Sequence, residues 1–170
     1  GTTGFPKGVM LTHYNLVANA QMCKIWINPD EEKQEIVLGV LPFFHVYGMT
    51  TVMNYSMLTV SKMVLLPKFE VDDVLKAIEK QKPTIFPGAP TIYIGLLNHP
   101  DLPSYDLSSI NACISGSAPL PKEVQEQFQQ VTEGRLIEGY GLTESSPVTH
   151  ANFLARDTVQ GGIGVPWPDT

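Results

Sequence analysis

The sequence contains no run of about eighteen uncharged apolar residues, the least a membrane-spanning helix requires. Its longest nearly uncharged stretch, Val46 to Ser61, is interrupted by Tyr47, Gly48, Thr50, Thr51, Asn54 and Ser56, and predicts a buried helix instead. No basic segment followed by an apolar one opens the sequence, so no secretory leader is expected within these residues. Cysteine is scarce. Cys23 and Cys113 stand in apolar settings with no partner at metal-ligand spacing, and predict reduced core thiols of a cytosolic protein. Positive charge is scarce too: 11 Lys and Arg against 17 Asp and Glu leave a net charge of −6, which argues against a nucleic-acid partner. No pair among the 4 histidines has zinc-ligand spacing. Low-complexity stretches, charge blocks and internal repeats are absent, and 170 residues suffice for one domain with a real core.

What is present is an alternation of short apolar runs with helical patterns, the signature of a mostly parallel α/β sheet flanked by helices. The expected strands are Ile36–Leu41, Met63–Leu66, Thr84–Phe86, Ile110–Ser115 and Leu136–Glu138. Val71, Val74, Leu75 and Ile78 fall on one helical face, with Asp72 and Asp73 in the first turn and Lys80 and Lys82 near the last. Pro121 suits a first helical position, after which Val124, Phe128 and Val131 line one face. Further helices are expected from Tyr14 to Trp26 and from Ala89 to Asn98. The chain starts without Met inside a glycine-rich run, and Arg156–Thr170 reads as a loop or strand entry that breaks off. A cut segment with an incomplete sheet is the expectation.

Three strings offer chemistry at strand ends, where open α/β sheets bind ligands, and a fourth opens the chain. Gly1-Thr2-Thr3-Gly4-Phe5-Pro6-Lys7-Gly8 combines glycines for close approach to phosphate, hydroxyl donors and one compact cation. Pro6 before Lys7 and Gly8 after it exclude a Walker A loop; a plain turn with a solvent-facing lysine is the alternative. Gly139-Tyr140-Gly141-Leu142-Thr143-Glu144 is expected to open a turn or short helix after its strand. It offers an aromatic face for a purine, a hydroxyl for a phosphate oxygen and a carboxylate for Mg²⁺. Thr143 as an N-cap with Glu144 in the first turn is the structural alternative. Ser115-Gly116-Ser117-Ala118-Pro119-Leu120 follows another strand, and Ala118-Pro119 breaks the hydrolase pattern Gly-x-Ser-x-Gly, so Ser117 is no nucleophile. Glu138 is by itself a solvated strand-end carboxylate, or one that faces a ligand at the strand end. In Pro42-Phe43-Phe44-His45-Val46-Tyr47-Gly48, His45 is by itself a packed or capping residue; His13, His99 and His150 lack comparable aromatic company.

GTTGFPKGVMLTH, LPFFHVYGM, PGAPTIY, ISGSAPLP and EGYGLTESSP together resemble, in order and spacing, the adenylate-forming (AMP-binding) superfamily. That superfamily includes acyl-CoA ligases, beetle luciferases and peptide-synthetase adenylation domains, and the resemblance is nearest to bacterial long-chain fatty-acyl-CoA ligases. It implies that residues 1–170 are part of a large N-terminal AMP-binding domain and that the C-terminal lid domain, the hinge and the ribose-binding motif are absent. The implied reaction joins a fatty carboxylate to ATP, releasing pyrophosphate, and then transfers the acyl group to CoA. The implied cofactor is Mg²⁺. By this resemblance Thr2, Thr3, Gly4 and Lys7 hold the β- and γ-phosphates, and Gly116, Ser117, Ala118, Pro119 and Glu138 meet the adenine or acyl group. Gly139, Tyr140 and Gly141 would frame the adenine, Thr143 bond a phosphate, Glu144 hold Mg²⁺ and His45 orient the carboxylate. Phe44, Tyr47, Pro87–Tyr93 and Ala118–Leu120 are candidate acyl walls. A cytoplasmic enzyme, with or without peripheral contact at the inner membrane face, is implied. Aryl-CoA ligases, light emitters and carrier-protein loaders share these strings, and a nucleotide-binding module without catalysis is the non-enzymatic alternative.

Overall fold

The computed structural model describes residues 4–27, 34–154 and 161–170. Helix α1 (His13–Ile27) opens where Thr12 and Asn15 cap each other: Asn15 N–H donates to Thr12 Oγ1 at 3.1 Å and Thr12 N–H to Asn15 Oδ1 at 3.0 Å. Strand β1 (Ile36–Gly39) pairs in parallel with β2 (Lys62–Leu65), and β3 (Ala112–Ser115) in parallel with β4 (Arg135–Gly141). Residues 84–88 lie between β1 and β3. Thr84–Phe86, expected as a strand, is instead joined to its neighbours by isolated parallel bridges, Val37 to Ile85 and Ile85 to Ala112. Pro83 and Pro87 flank it and lack the N–H groups that a longer ladder would use.

Between β1 and β2 the helical stretch expected from Val46 to Ser61 is segmented. It comprises α2 (Val46–Gly48), a π-helical turn (Met49–Asn54) and α3 (Tyr55–Thr59), ended by Val60 in a left-handed conformation at φ 54°. Helices α4 (Val71–Gln81) and α5 (Pro90–Leu97) follow, then α6 (Lys122–Thr132). Pro121 caps α6 from outside in an extended conformation rather than filling its first turn. The buried face of α6 also departs from expectation. Gln125, Phe128 and Thr132 are buried while Val131 is exposed. The polar pair is accommodated by hydrogen bonds, Gln125 Nε2 to Leu136 O at 2.7 Å and Thr132 Oγ1 to Phe128 O at 2.9 Å.

Alternation along the strands divides the core into two clusters. Leu38, Phe86, Cys113 and Leu136 pack with α4, α5 and Phe128, while Val37, Ile85, Ile114 and Ile137 pack with Cys23, Val52 and Tyr55. Adjacent strand residues thus enter opposite clusters, and the parallel strands are covered on both faces. Each cluster holds one free cysteine, Cys113 in the first and Cys23 in the second, and burial raises both thiols well above the ordinary cysteine range. Neither thiol should be alkylated in the folded protein, and both should react once denaturant is added. Peptide mass spectrometry of iodoacetamide-treated protein checks this; labelling at either site before unfolding contradicts it.

The strand expected over Leu136–Glu138 continues to Gly141, and its far end changes partner. Beyond the segment paired with β3, β4 runs antiparallel to β5 (Val148–Ala151), which in turn pairs with β6 (Val165–Pro166). Gly139 to Gly141 is therefore strand, not turn; only Thr143–Ser145 forms a 3-10 turn. Asn19 fixes β5 against α1, donating Nδ2–H to Val148 O at 2.7 Å and accepting from Val148 N–H at 3.2 Å. Among the described residues no helix is long and apolar enough to cross a membrane.

Candidate functional site

The ends of β3 and β4, the turn before α2 and the opening loop converge on an open cleft of about 990 Å³. Lys7, His45, Gly116, Ser117, Gly139, Tyr140, Gly141, Thr143 and Glu144 all line it. From the opening loop, Phe5, Lys7 and Val9 face the cleft, as alternate residues of an extended backbone would. Gly4, Ala118, Pro119 and Glu138 are not among the lining residues; Thr2 and Thr3 lie outside the described residues. Among the candidate acyl walls, Phe44 is 94% exposed, whereas Tyr93 and Leu120 are buried in the core.

His45 serves as the N-cap of α2. Its Nδ1 accepts the Tyr47 N–H at 3.2 Å, its own N–H bonds Pro42 O and its carbonyl accepts from Met49 N–H. The capping role open in the sequence is therefore realised together with a place in the cleft. Because Nδ1 accepts, the ring proton of neutral His45 sits on Nε2, which becomes a donor. Two residues on, Tyr47 is buried and donates its hydroxyl to Ile114 O at 2.6 Å, tying this turn to β3. Burial, above all, pushes that hydroxyl far beyond the ordinary tyrosine range, so it stays a donor.

Small residues let these parts meet. A Cβ on Gly116 would sit 3.1 Å from the Tyr47 ring, and one on Gly139 3.0 Å from Ile114 Cγ2. Ser117 then turns the chain out of β3 with φ at 73°, a left-handed conformation uncommon outside glycine and asparagine. At β4 the tightest approach is at Gly141, where a Cβ would come within 2.2 Å of Pro147 O. The turn that follows is closed by Ser145: Leu142 N–H donates to Ser145 Oγ at 3.0 Å, and Ser145 N–H to Leu142 O at 3.0 Å. Thr143 and Glu144 are left exposed at its apex.

Glu144 makes no hydrogen bond or ion pair within the described residues. No cluster of three metal-ligating side chains occurs there either. A lone exposed carboxylate beside a hydroxyl fits Mg²⁺ of the kind carried by a nucleotide, which takes one or two protein oxygens and completes its shell with phosphate and water. A second, smaller groove of about 520 Å³ lies on the other side of the turn, between α1 and β5, and shares Glu144 with the first.

Two histidines outside the cleft lining have partners that the sequence did not reveal. His150 has aromatic company after all, its ring lying 6.4 Å from that of Tyr140 at 70°. His99 likewise meets Asp72 Oδ1 at 3.0 Å and the Tyr105 ring at 6.4 Å. The cross-strand pairing that brings His150 to Tyr140 depends on β5, a strand too short and polar to be read from its residues.

A cleft at strand ends, with glycines at its closest approaches and an exposed carboxylate at its mouth, is the kind of place where open α/β sheets bind ligands. The chain is a member of the AMP-binding enzyme family, whose model matches residues 1–170. Over 170 residues it is 62% identical to a long-chain-fatty-acid–CoA ligase of Bacillus subtilis (strain 168), covering all of this chain and 30% of that protein. It is 39% identical over 151 residues to a 4-coumarate–CoA ligase of Humulus lupulus, covering 87% of this chain and 28% of the relative. Among solved structures it matches ATP-bound MatB from Rhodopseudomonas palustris with a TM-score of 0.85 and 30% identity, over 99% of this chain and 32% of that one. An anthranilate–CoA ligase in complex with anthranoyl-AMP gives a TM-score of 0.90 at 29% identity, again over 99% and 32%. The chain thus spans about 30% of the length of the curated relatives it matches.

Proposed function

We propose that this chain is the ATP-handling segment of a long-chain fatty-acid–CoA ligase, within the large N-terminal domain of a longer enzyme. The observation that carries the reading is the single cleft onto which Lys7, His45, Gly116, Tyr140, Thr143 and Glu144 converge. The 62% identity to the Bacillus subtilis ligase supports the fatty substrate. In the proposed reaction a carboxylate oxygen attacks the α-phosphorus of ATP; the bond to the bridging oxygen breaks, and pyrophosphate leaves with that electron pair. The thiol sulfur of CoA then attacks the acyl carbon, AMP departs and the thiol proton is released.

The protein supplies no nucleophile in the first half, so its contribution is positioning and charge neutralisation. Lys7, with Thr2, Thr3 and Gly4, would hold the β- and γ-phosphates. Thr143 would donate to a phosphate oxygen, and Tyr140 would offer its face to the adenine between the close backbone approaches at Gly139 and Gly141. Gly116, Ser117, Ala118 and Pro119 would border the adenine and the acyl group, with Glu138 toward the adenine amino group. His45 Nε2–H would orient the attacking carboxylate. Glu144 would hold Mg²⁺, which when bound offsets negative charge on the triphosphate.

The test is pyrophosphate release by the full-length protein over a panel of alkyl and aryl carboxylates. Long-chain fatty acids should be the preferred substrates. An aryl acid is the second reading, favoured by the 39% identity to a 4-coumarate–CoA ligase; release with aryl acids alone would establish it. No release with any carboxylate would overturn adenylation itself. The 170-residue chain assayed alone should form no acyl-CoA, and steady turnover by it would refute the placement within a longer enzyme.

A further inference from the structure

The proposed adenine platform, Tyr140, stands in an unbraced position. It is 44% exposed, lies on the part of β4 beyond the β3 pairing, and has glycines on both sides that carry no side chain to pack against it. Among the described residues its ring has one aromatic partner, His150. The two are directly opposite across the β4–β5 ladder, so their side chains share a face, and the rings meet edge to face with centroids 6.4 Å apart.

The ladder shifts register between Tyr140 and Gly141: Tyr140 pairs with His150 and Gly141 with Val148, leaving Thr149 as the extra residue of a bulge. Thr149 turns its hydroxyl back onto the same pair. Thr149 Oγ1–H donates to Tyr140 O at 3.3 Å, and the same oxygen lies 2.9 Å from His150 Nδ1. A hydroxyl has one proton; with that proton directed at Tyr140 O, its lone pair accepts from His150 Nδ1–H. The consistent arrangement is a closed loop, from the Tyr140 ring to the His150 ring, through Thr149, to the Tyr140 carbonyl. His150 itself lines neither groove.

We propose that His150 is a positioning residue for nucleotide recognition: its ring, set directly across the strands from Tyr140, holds the Tyr140 ring in the attitude from which it faces the adenine. This rests on the ATP-dependent reading above. An edge-to-face pair of this kind corresponds to roughly a two- to tenfold change in a binding constant.

The experiment compares His150→Ala and His150→Phe in the full-length enzyme by ATP–pyrophosphate exchange. His150→Ala should raise KM for ATP about two- to tenfold while kcat and KM for the carboxylate stay within about twofold. His150→Phe keeps a ring edge but not the bond to Thr149, and should return KM for ATP close to the wild-type value. In a Tyr140→Leu background, His150→Ala should add no further change. An unchanged KM for ATP in His150→Ala, an equal rise for ATP and carboxylate, or failure of phenylalanine to restore it would each overturn the proposal. Absence of exchange in the wild-type enzyme would instead sink the ligase reading. The same variants are then compared by titration calorimetry with ATP and Mg²⁺, where equal affinities of wild type and His150→Ala overturn the positioning role and a loss restored by phenylalanine supports it.

Discussion

Replacing Glu144 by alanine in the full-length enzyme should lower ATP–pyrophosphate exchange by about a hundred- to a thousandfold while leaving its unfolding midpoint unchanged. The two halves of that expectation come from one observation: Glu144 is exposed at the apex of the Thr143–Ser145 turn and bonds nothing else among the described residues. A surface side chain without partners contributes within about 0.5 kcal/mol to stability. The turn keeps its shape without Glu144, because Ser145 and Leu142 close it through their own bonds. Losing a preorganised charge-stabilising element, here the Mg²⁺ that Glu144 would hold, by contrast costs about two to three powers of ten in rate. Glu144→Gln tests whether charge is the agent, since glutamine keeps the shape and an oxygen acceptor; it should lose nearly as much as alanine. Near-normal exchange in Glu144→Ala would refute the metal-holding role.

Gly141→Ala should be damaging for the opposite reason, through the backbone. An added Cβ would lie 2.2 Å from Pro147 O, 2.7 Å from Pro147 C and 3.0 Å from Val148 Cα. All three are main-chain atoms, so no rotamer change relieves the overlap, and β4 must separate from β5 where the register shifts. The Leu142 N–H bond to Pro147 O, 3.0 Å long, would go with it. Overpacking of this kind costs about 3 kcal/mol, readable as a lowered unfolding midpoint, and it displaces Tyr140 and Thr143 together, so exchange activity should fall as well. Gly8→Ala is the control. Nothing lies within 4 Å of a Cβ there, and stability should change by less than about 0.5 kcal/mol. A Gly141→Ala protein as stable as wild type would mean that the two strands yield more easily than their contacts indicate.

The parts of the fold that were legible in the sequence are those where one local signal decides. Val71, Val74, Leu75 and Ile78 sit at helical spacing with acids at one end and lysines at the other, and α4 forms over Val71–Gln81. The alternation of apolar runs with helical patterns predicted a mostly parallel sheet, and β1 pairs in parallel with β2 and β3 with β4, while β5 and β6 add antiparallel pairs. What was illegible depends on distant residues. Thr84–Phe86 carries strand-forming residues yet makes only single bridges between prolines. Val148–Ala151 includes Thr149 and His150 and shows no apolar run; it is a strand because β4 offers it an edge and Asn19 anchors Val148. Trp167, in a stretch that reads as a loop or strand entry, follows β6 and is buried with its backbone N–H on Thr149 O at 2.8 Å and its ring 5.6 Å from Trp26. At the cleft, the residue types were visible beforehand because glycine, threonine and carboxylate at strand ends limit the chemistry sharply. Their mutual placement, and the His150 ring behind Tyr140, were not, because both depend on a strand that changes partner partway along its length.

The cap that His45 places on α2 limits what its ring can offer the cleft. With Nδ1 committed to the Tyr47 amide, the imidazole has no lone pair left for a carboxylic acid's proton and offers one N–H. Neutral and capped in this way, the ring meets a ligand as a donor only.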